Sequence, residues 1–163
     1  MKFNTLGMLA VLAASMFATS TWSAELRNAP TFSVITDTGN LHLADLNGKV
    51  VYIDFFASWC GPCRSSFKWL NQTHEKHAAK GLVILAINLD KKHELAEQFL
   101  KEHPAKFRIG FDPEGAIAQI YQLKGMPSSY LIDRKGQLRA THVGFRDKDR
   151  VTRDDEIASL LAE

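Results

Sequence analysis

Cysteine is scarce: the 163 residues contain only two. Two thiols exclude a disulfide-stapled scaffold, which is held by several bridges. They also fall short of the about four ligands of a structural zinc site. Charge of one sign is equally lacking. Twenty basic and eighteen acidic residues leave a formal net charge of +2, and the basic residues are scattered. Nucleic acid or an anionic membrane surface finds no electrostatic footprint here. The apolar run at the N-terminus, Leu6 to Ala18, is short of the about 20 residues that a membrane span needs. There is no internal repeat, low-complexity tract or interdomain linker. Apolar content of 45% and charged content of 23% are ordinary for a globular protein. The length fits one domain with a substantial core.

What the N-terminus does have is the layout of a secretory signal. Lys2 precedes the apolar run, and Thr19-Ser20-Thr21-Trp22-Ser23-Ala24 supplies the small-residue end. Cleavage after Ala24 fits best, with Ser20 and Ser23 as alternative sites. The rival reading is an uncleaved anchor stretched to Trp22. No cysteine lies at the junction, which excludes lipid attachment there. The expected division is therefore a signal peptide over 1–24 and a single domain over 25–163, with a net charge of about +1 after removal of Lys2. Export would place the two thiols in an oxidising compartment, where the pair suits handling other proteins' disulfides.

Those thiols lie together in Trp59-Cys60-Gly61-Pro62-Cys63. An apolar run, Val50 to Phe56, leads into them, and a helical pattern leaves from Pro62. A helix N-terminus carries unpaired N–H groups and a partial positive charge, so a thiol there ionises more readily. The thiolate is the attacking species in disulfide exchange. Pro62 suits a first turn, where its missing N–H is no loss, and Gly61 keeps the connection free of side-chain clashes. A structural disulfide across so short a loop would stabilise little. Redox chemistry is the favoured reading.

The remaining chain predicts alternating elements. Thr31 to Ile35 and Leu41 to Leu43 flank a turn and read as a hairpin. Asp45 to Lys49 is a turn into the strand Val50–Phe56, whose continuous apolar content implies cover on both faces; Asp54 is the exception. A helix follows from Pro62 to about Ala79, with Phe67, Leu70 and Ala78 facing the core and Gly81 as its stop. Leu82 to Leu89 is a second buried strand. Lys92 to His103 is helical with Leu95, Phe99 and Leu100 at core spacing, closed by Pro104. Phe107 to Phe111 predicts a short strand and Asp112 to Leu123 a short helix. Ser129 to Ile132 and Gln137 to Val143 form a second hairpin across Asp133-Arg134-Lys135-Gly136. Arg153 to Leu161 closes the chain as a helix with Ile157, Leu160 and Leu161 on one side. The charge run from Arg146 to Glu156 reads as a solvated loop and helix start. The six histidines, including His74 and His77 at i, i+3, read as solvent-facing, because nothing completes a metal shell around them.

In this order the elements, Cys60-Gly61-Pro62-Cys63, Asp54 six residues before the motif, and Gly125-Met126-Pro127 before the second hairpin resemble the thioredoxin superfamily. The likeness is to its exported TlpA/ResA-like branch of thiol-disulfide oxidoreductases, over roughly Ala29 to Leu161. It implies an α/β thioredoxin fold with an N-terminal β-hairpin, an inserted strand-helix segment between about Lys92 and Gln122, and a mixed central sheet flanked by helices. It implies Cys60 as an exposed nucleophile and Cys63 as the buried resolving thiol. Asp54 would be the buried acid beneath Cys63, its pKa raised by lost hydration and its role proton transfer with that thiol. Met126-Pro127 would be a cis-proline element, with the Met126 backbone pairing an extended substrate segment. Trp59, Gly61 and Pro62 would border the same substrate site, and Trp59 would shield the pair with its ring part exposed.

Three departures stand out. Ala86 occupies the position of a lysine that thioredoxin keeps near its buried acid, which predicts an acid with less positive restraint. Phe56 replaces a second tryptophan. Lys68 replaces a helix-kinking proline, which predicts a straighter first helix. The resemblance implies a periplasmic protein-disulfide oxidoreductase working by a dithiol/disulfide cycle without a bound cofactor. Its partners would be protein substrates with disulfides or cysteine pairs, apocytochrome c thiols among them, and a membrane-embedded thiol electron donor. No nucleic-acid partner and a monomeric state are expected. Cys-Gly-Pro-Cys favours a reductase. The alternatives are a disulfide-forming oxidase, with a potential near −120 mV (about that of a strong oxidant), and a module holding copper(I) between the two thiolates.

Overall fold

The computed structural model describes residues 27–163; the proposed signal peptide, 1–24, lies outside them. The strands are β1 (Arg27–Asn28), β2 (Ser33–Thr36), β3 (Gly39–His42), β4 (Val50–Phe56), β5 (Leu82–Asn88), β6 (Arg108–Phe111), β7 (Ser128–Ile132) and β8 (Gln137–Val143). The α-helices are α1 (Gly61–His77), α2 (His93–Glu102), α3 (Ala116–Ile120) and α4 (Arg150–Ala162). All eight strands join one sheet in the order β1-β8-β7-β4-β5-β6-β2-β3. The β4, β5 and β6 strands run parallel, and β7 lies antiparallel to β4 on its other side. This is the mixed, helix-flanked α/β sheet that the element order implied.

The apolar run Val50–Phe56 is buried at every position because two cores meet on it. Side chains alternate across a strand. Val50, Tyr52 and Phe56 therefore enter one core with Phe67, Leu70, Phe99 and Ile157. Val51, Ile53 and Phe55 enter the other with Leu41, Leu46, Ile117 and Tyr121. Each such side chain contributes about 1.5–3 kcal/mol by leaving water, so the strand that leads into the Cys motif is firmly seated.

The N-terminal hairpin, β2–β3, docks on the inserted strand β6, with Ile35 opposite Phe111 and Thr36 opposite Gly110. Gly110 is needed for that approach: a Cβ there would stand 2.8 Å from Val34 Cγ2. Ahead of β4, part of the predicted turn is a 3-10 helix, Leu43–Leu46, whose start is held by His42 N donating to Asp45 Oδ2 at 3.1 Å.

Helix α1 runs continuously past Lys68 and ends at His77, two residues earlier than predicted. A 3-10 turn, Ala78–Lys80, then carries the chain to Gly81 at φ 99°, a left-handed conformation that glycine adopts without strain. Two core assignments are corrected. Leu95 is 41% exposed; Ala96 takes the inward place beside Phe99, which is buried as expected. Ala78 is only half-buried, and Trp69, Thr73 and His77 are the buried members of that half of α1. The cause is α4, which crosses here: Asp154 accepts from Trp69 Nε1 at 3.0 Å and from Thr73 Oγ1 at 3.3 Å.

The solvent-facing reading of the histidines fails at His77, which is 3% exposed with neither ring nitrogen hydrogen-bonded among the described residues. Burial lowers its pKa, helped by Lys76 and Lys80 and opposed by Asp154. His142 instead meets Glu156, Nε2 to Oε2, at 3.0 Å.

Candidate active site

Strand β4 delivers the chain to the rim of the sheet, where Ala57, Ser58 and Trp59 lead to Cys60. Cys60 is the N-cap of α1, with extended backbone angles of φ −81° and ψ 99° and no side-chain cap of its own. Gly61 and Pro62 make the first turn, and Cys63 follows with its N–H donating to the Cys60 carbonyl at 3.2 Å. The two sulfurs form a disulfide, with Cα atoms 5.4 Å apart. Both thiols are thus held at the positive end of a 17-residue helix, where a thiolate is favoured.

The expectation of an exposed Cys60 is corrected. In the disulfide Cys60 is 3% exposed and Cys63 0%, because the Cys60 sulfur turns back over the first turn to reach Cys63. What faces solvent is the frame around the pair: Trp59 is 69% exposed, and Gly61 and Pro62 are exposed. Ser58 steadies the approach loop. Its N–H and hydroxyl both donate at 2.8 Å to Asp90, from the loop after β5, and Asn88 Nδ2 donates to the same carboxylate at 2.8 Å.

The Met126–Pro127 peptide is cis. It precedes β7, whose Ser128 stands opposite Phe55 and whose Ser129 stands opposite Asp54. Since β7 runs antiparallel to β4, its beginning and the departure of the Cys loop share one end of the sheet. Pro127 is buried and Met126 half-buried, and the Pro127 carbonyl accepts from Gly144 N at 2.7 Å.

Asp54 points from the same face of β4 as Tyr52 and Phe56, towards the α1 side. It is 1% exposed, and neither carboxylate oxygen has a hydrogen-bond partner among the described residues. Loss of hydration therefore dominates and raises its pKa to about 8. The positive charge of Arg153 opposes this, and Ser66 gives a smaller lowering, although the Ser66 hydroxyl is committed to the Cys63 carbonyl at 3.0 Å. A carboxyl poised so near neutrality can both take and give a proton under mild conditions.

Two expectations about this acid change. Ala86 does face Asp54 across the β4–β5 ladder, yet positive charge is not missing. Arg153, assigned to a solvated charge run, is 3% exposed. Its Nη1 donates to Tyr52 Oη at 3.2 Å and Ser129 Oγ at 3.3 Å, and its Nη2 donates to the Gly144 carbonyl at 2.6 Å. The signal was present in the spacing: Arg153, Ile157 and Leu160 are the buried stripe of α4. Reading charge as exposure hid it. Asp90 and Ser58 left no comparable signal, because they meet only when the ends of β4 and β5 are side by side.

Comparison with known proteins agrees with this geometry. Thiol-disulfide oxidoreductase ResA of a Bacillus cereus strain is 31% identical over 127 residues, covering 77% of this chain and 73% of that protein. Among solved structures, a putative thiol:disulfide interchange protein DsbE from Chlorobium tepidum is 47% identical with a TM-score of 0.82, covering 83% of this chain and 96% of that one. A putative protein disulfide isomerase from Bacteroides thetaiotaomicron is 27% identical with a TM-score of 0.77, covering 83% of this chain and 89% of that one. Fold, dithiol and relatives together define the class: a protein-disulfide oxidoreductase of the TlpA/ResA-like branch of the thioredoxin superfamily. The Redoxin family model matches residues 25–160, and the chain belongs to that family.

Proposed function

We propose that this protein is exported to the periplasm and there reduces disulfides in protein substrates through Cys60 and Cys63. The observation that carries the reading is the conjunction at one helix start. The only two cysteines of the chain form a disulfide at the N-terminus of α1, on the face of the sheet that holds a buried acid without a hydrogen-bond partner among the described residues.

In the reductive direction the Cys60 thiolate attacks one sulfur of a substrate disulfide, and the other substrate sulfur leaves. The Cys63 thiol gives its proton to the Asp54 carboxylate, directly or through a water. The Cys63 thiolate then attacks the Cys60 sulfur, closing the Cys60–Cys63 bond and expelling the substrate as a thiolate that takes up a proton. Two electrons pass from protein to substrate, and a membrane-embedded thiol donor restores them. Trp59, Gly61 and Pro62 form the exposed frame on which a substrate rests, and the Met126 backbone beside Pro127 pairs an extended segment of it. Cytochrome c maturation and general thiol maintenance are both served by this chemistry.

The test is a trap. Cys63→Ser, expressed with its N-terminal segment in the native compartment, should accumulate mixed disulfides at Cys60 that dithiothreitol releases and that Cys60→Ser abolishes. If no protein becomes attached at Cys60, the substrate class is wrong.

A further inference from the structure

Arg153 reaches the Asp54 side of the sheet from the last helix, far from the Cys motif in sequence. Its setting is unusual for a cation. It is 3% exposed and makes no direct ion pair among the described residues. Three neutral acceptors hold it instead: Tyr52 Oη, Ser129 Oγ and the Gly144 carbonyl. Tyr52 Oη in turn donates to Ser129 Oγ at 2.7 Å, and the guanidinium carbon lies 5.1 Å from the centre of the Phe145 ring. Both hydroxyls belong to the neighbourhood of Asp54. Tyr52 is two residues before it on the same face of β4, and Ser129 is its partner across the β4–β7 ladder.

A buried guanidinium without a carboxylate partner is expensive unless it answers a charge nearby. The groups around Asp54 can be taken element by element. Its own strand β4 brings Tyr52, and β5 brings only Ala86. From α1 comes Ser66, whose hydroxyl donates to the Cys63 carbonyl, from β7 Ser129, and from α4 Arg153. Arg153 also acts on Asp149 from a distance, but that carboxylate is held by Arg146. When Asp54 ionises, Arg153 is the cation whose charge acts on it.

We propose that Arg153 is a positioning residue for the redox step: fixed by Tyr52, Ser129 and Gly144, it presents a permanent positive charge to Asp54 and so sets the pH at which Cys63 can be deprotonated. It replaces from the C-terminal helix the charge that Ala86 does not provide on the adjacent strand. This rests on the assignment of Asp54 as the proton acceptor of Cys63, and the experiment separates the two.

The reduced protein is mixed with 5,5′-dithiobis(2-nitrobenzoate), which caps Cys60 and releases one chromophore. Attack by Cys63 then releases the second, and the rate of that second release is followed from pH 5 to 10. In the wild type its rise tracks ionisation of Asp54. Arg153→Met should move the midpoint to higher pH by about one unit, and Arg153→Lys, keeping the charge, should restore most of it. In an Asp54→Asn background, Arg153→Met should leave the profile unmoved. Arg153→Gln, which keeps amide donors for Ser129 and Gly144 without the charge, decides by the same criteria should the methionine variant fold poorly. A midpoint unchanged in the charge-free variants overturns the proposal. So does a shift that persists without Asp54. If Asp54→Asn alone leaves the wild-type profile intact, the assignment of Asp54 fails first, and with it this role for Arg153.

Discussion

Replacing Asp54 by asparagine removes the one carboxylate that this fold buries without a hydrogen bond to either oxygen, among the described residues. The structure fixes the sign of the effect. Burial raises the Asp54 pKa from 3.8 to about 8, outweighing the lowering by Arg153. A carboxyl whose folded pKa lies above its unfolded value binds more protons when folded. Its contribution to stability is then fully present below pH about 4 and is lost as pH rises towards 8. One pH unit corresponds to about 1.4 kcal/mol. Full ionisation of Asp54 therefore removes roughly 6 kcal/mol, and about 4 kcal/mol is already gone at pH 7. Against the roughly 5–15 kcal/mol that holds a typical domain together, this is a large fraction. The assay is guanidinium chloride unfolding of the oxidised protein and of oxidised Asp54→Asn at half-unit steps from pH 4 to 8.5. The two should be nearly equally stable at pH 4, and the variant should gain on the wild type by about 1.4 kcal/mol per unit between pH 5 and 7. A difference that does not vary with pH, or a variant less stable than the wild type at pH 8, would refute the account of a desolvated acid.

Asp90→Ala should cost about 2–4 kcal/mol by stripping Ser58 and Asn88 of their shared carboxylate. Amide hydrogen exchange at Ser58 should then accelerate with the drop in thermal midpoint. Gly110→Ala should destabilise by about 1–3 kcal/mol, since its Cβ would press on Val34; the double variant with Val34→Ala should recover most of the loss in a double-mutant cycle. The pKa of His77 is lowered in the folded state from 6.5, so the unfolded chain binds its proton first and stability is lost as pH falls below about 6.5. His77→Leu should abolish that part of the acid sensitivity, read from melting temperatures between pH 7.5 and 5.

The chemistry is legible in the sequence because it is local. Cys60, Gly61, Pro62 and Cys63 lie within one turn of helix, and the apolar run before them marks a strand buried on both faces without any tertiary knowledge. The two hairpins announce themselves through turn residues, and the order of strands and helices implies the sheet. The errors share one cause. Periodicity places Leu95 and Ala78 in the core, but it cannot show which elements a helix packs against, and that packing turns Ala96 inward rather than Leu95 and His77 rather than Ala78. Residue type places Arg153 and His77 in solvent, whereas burial of polar groups depends on which element crosses above them.

By itself the sequence determined the reacting atoms: two thiols, their spacing, the helix that begins on them, and an acid in the strand before. The tertiary structure alone decided the surroundings that tune those atoms. A disulfide turned inward, an acid left without a hydrogen bond, and an arginine drawn in from the last helix all follow from packing elements remote in the chain. Covalent neighbours specify which groups are present, whereas proton affinity depends on hydration and charge in space, and those are settled only when α1, α4 and the sheet close around Asp54.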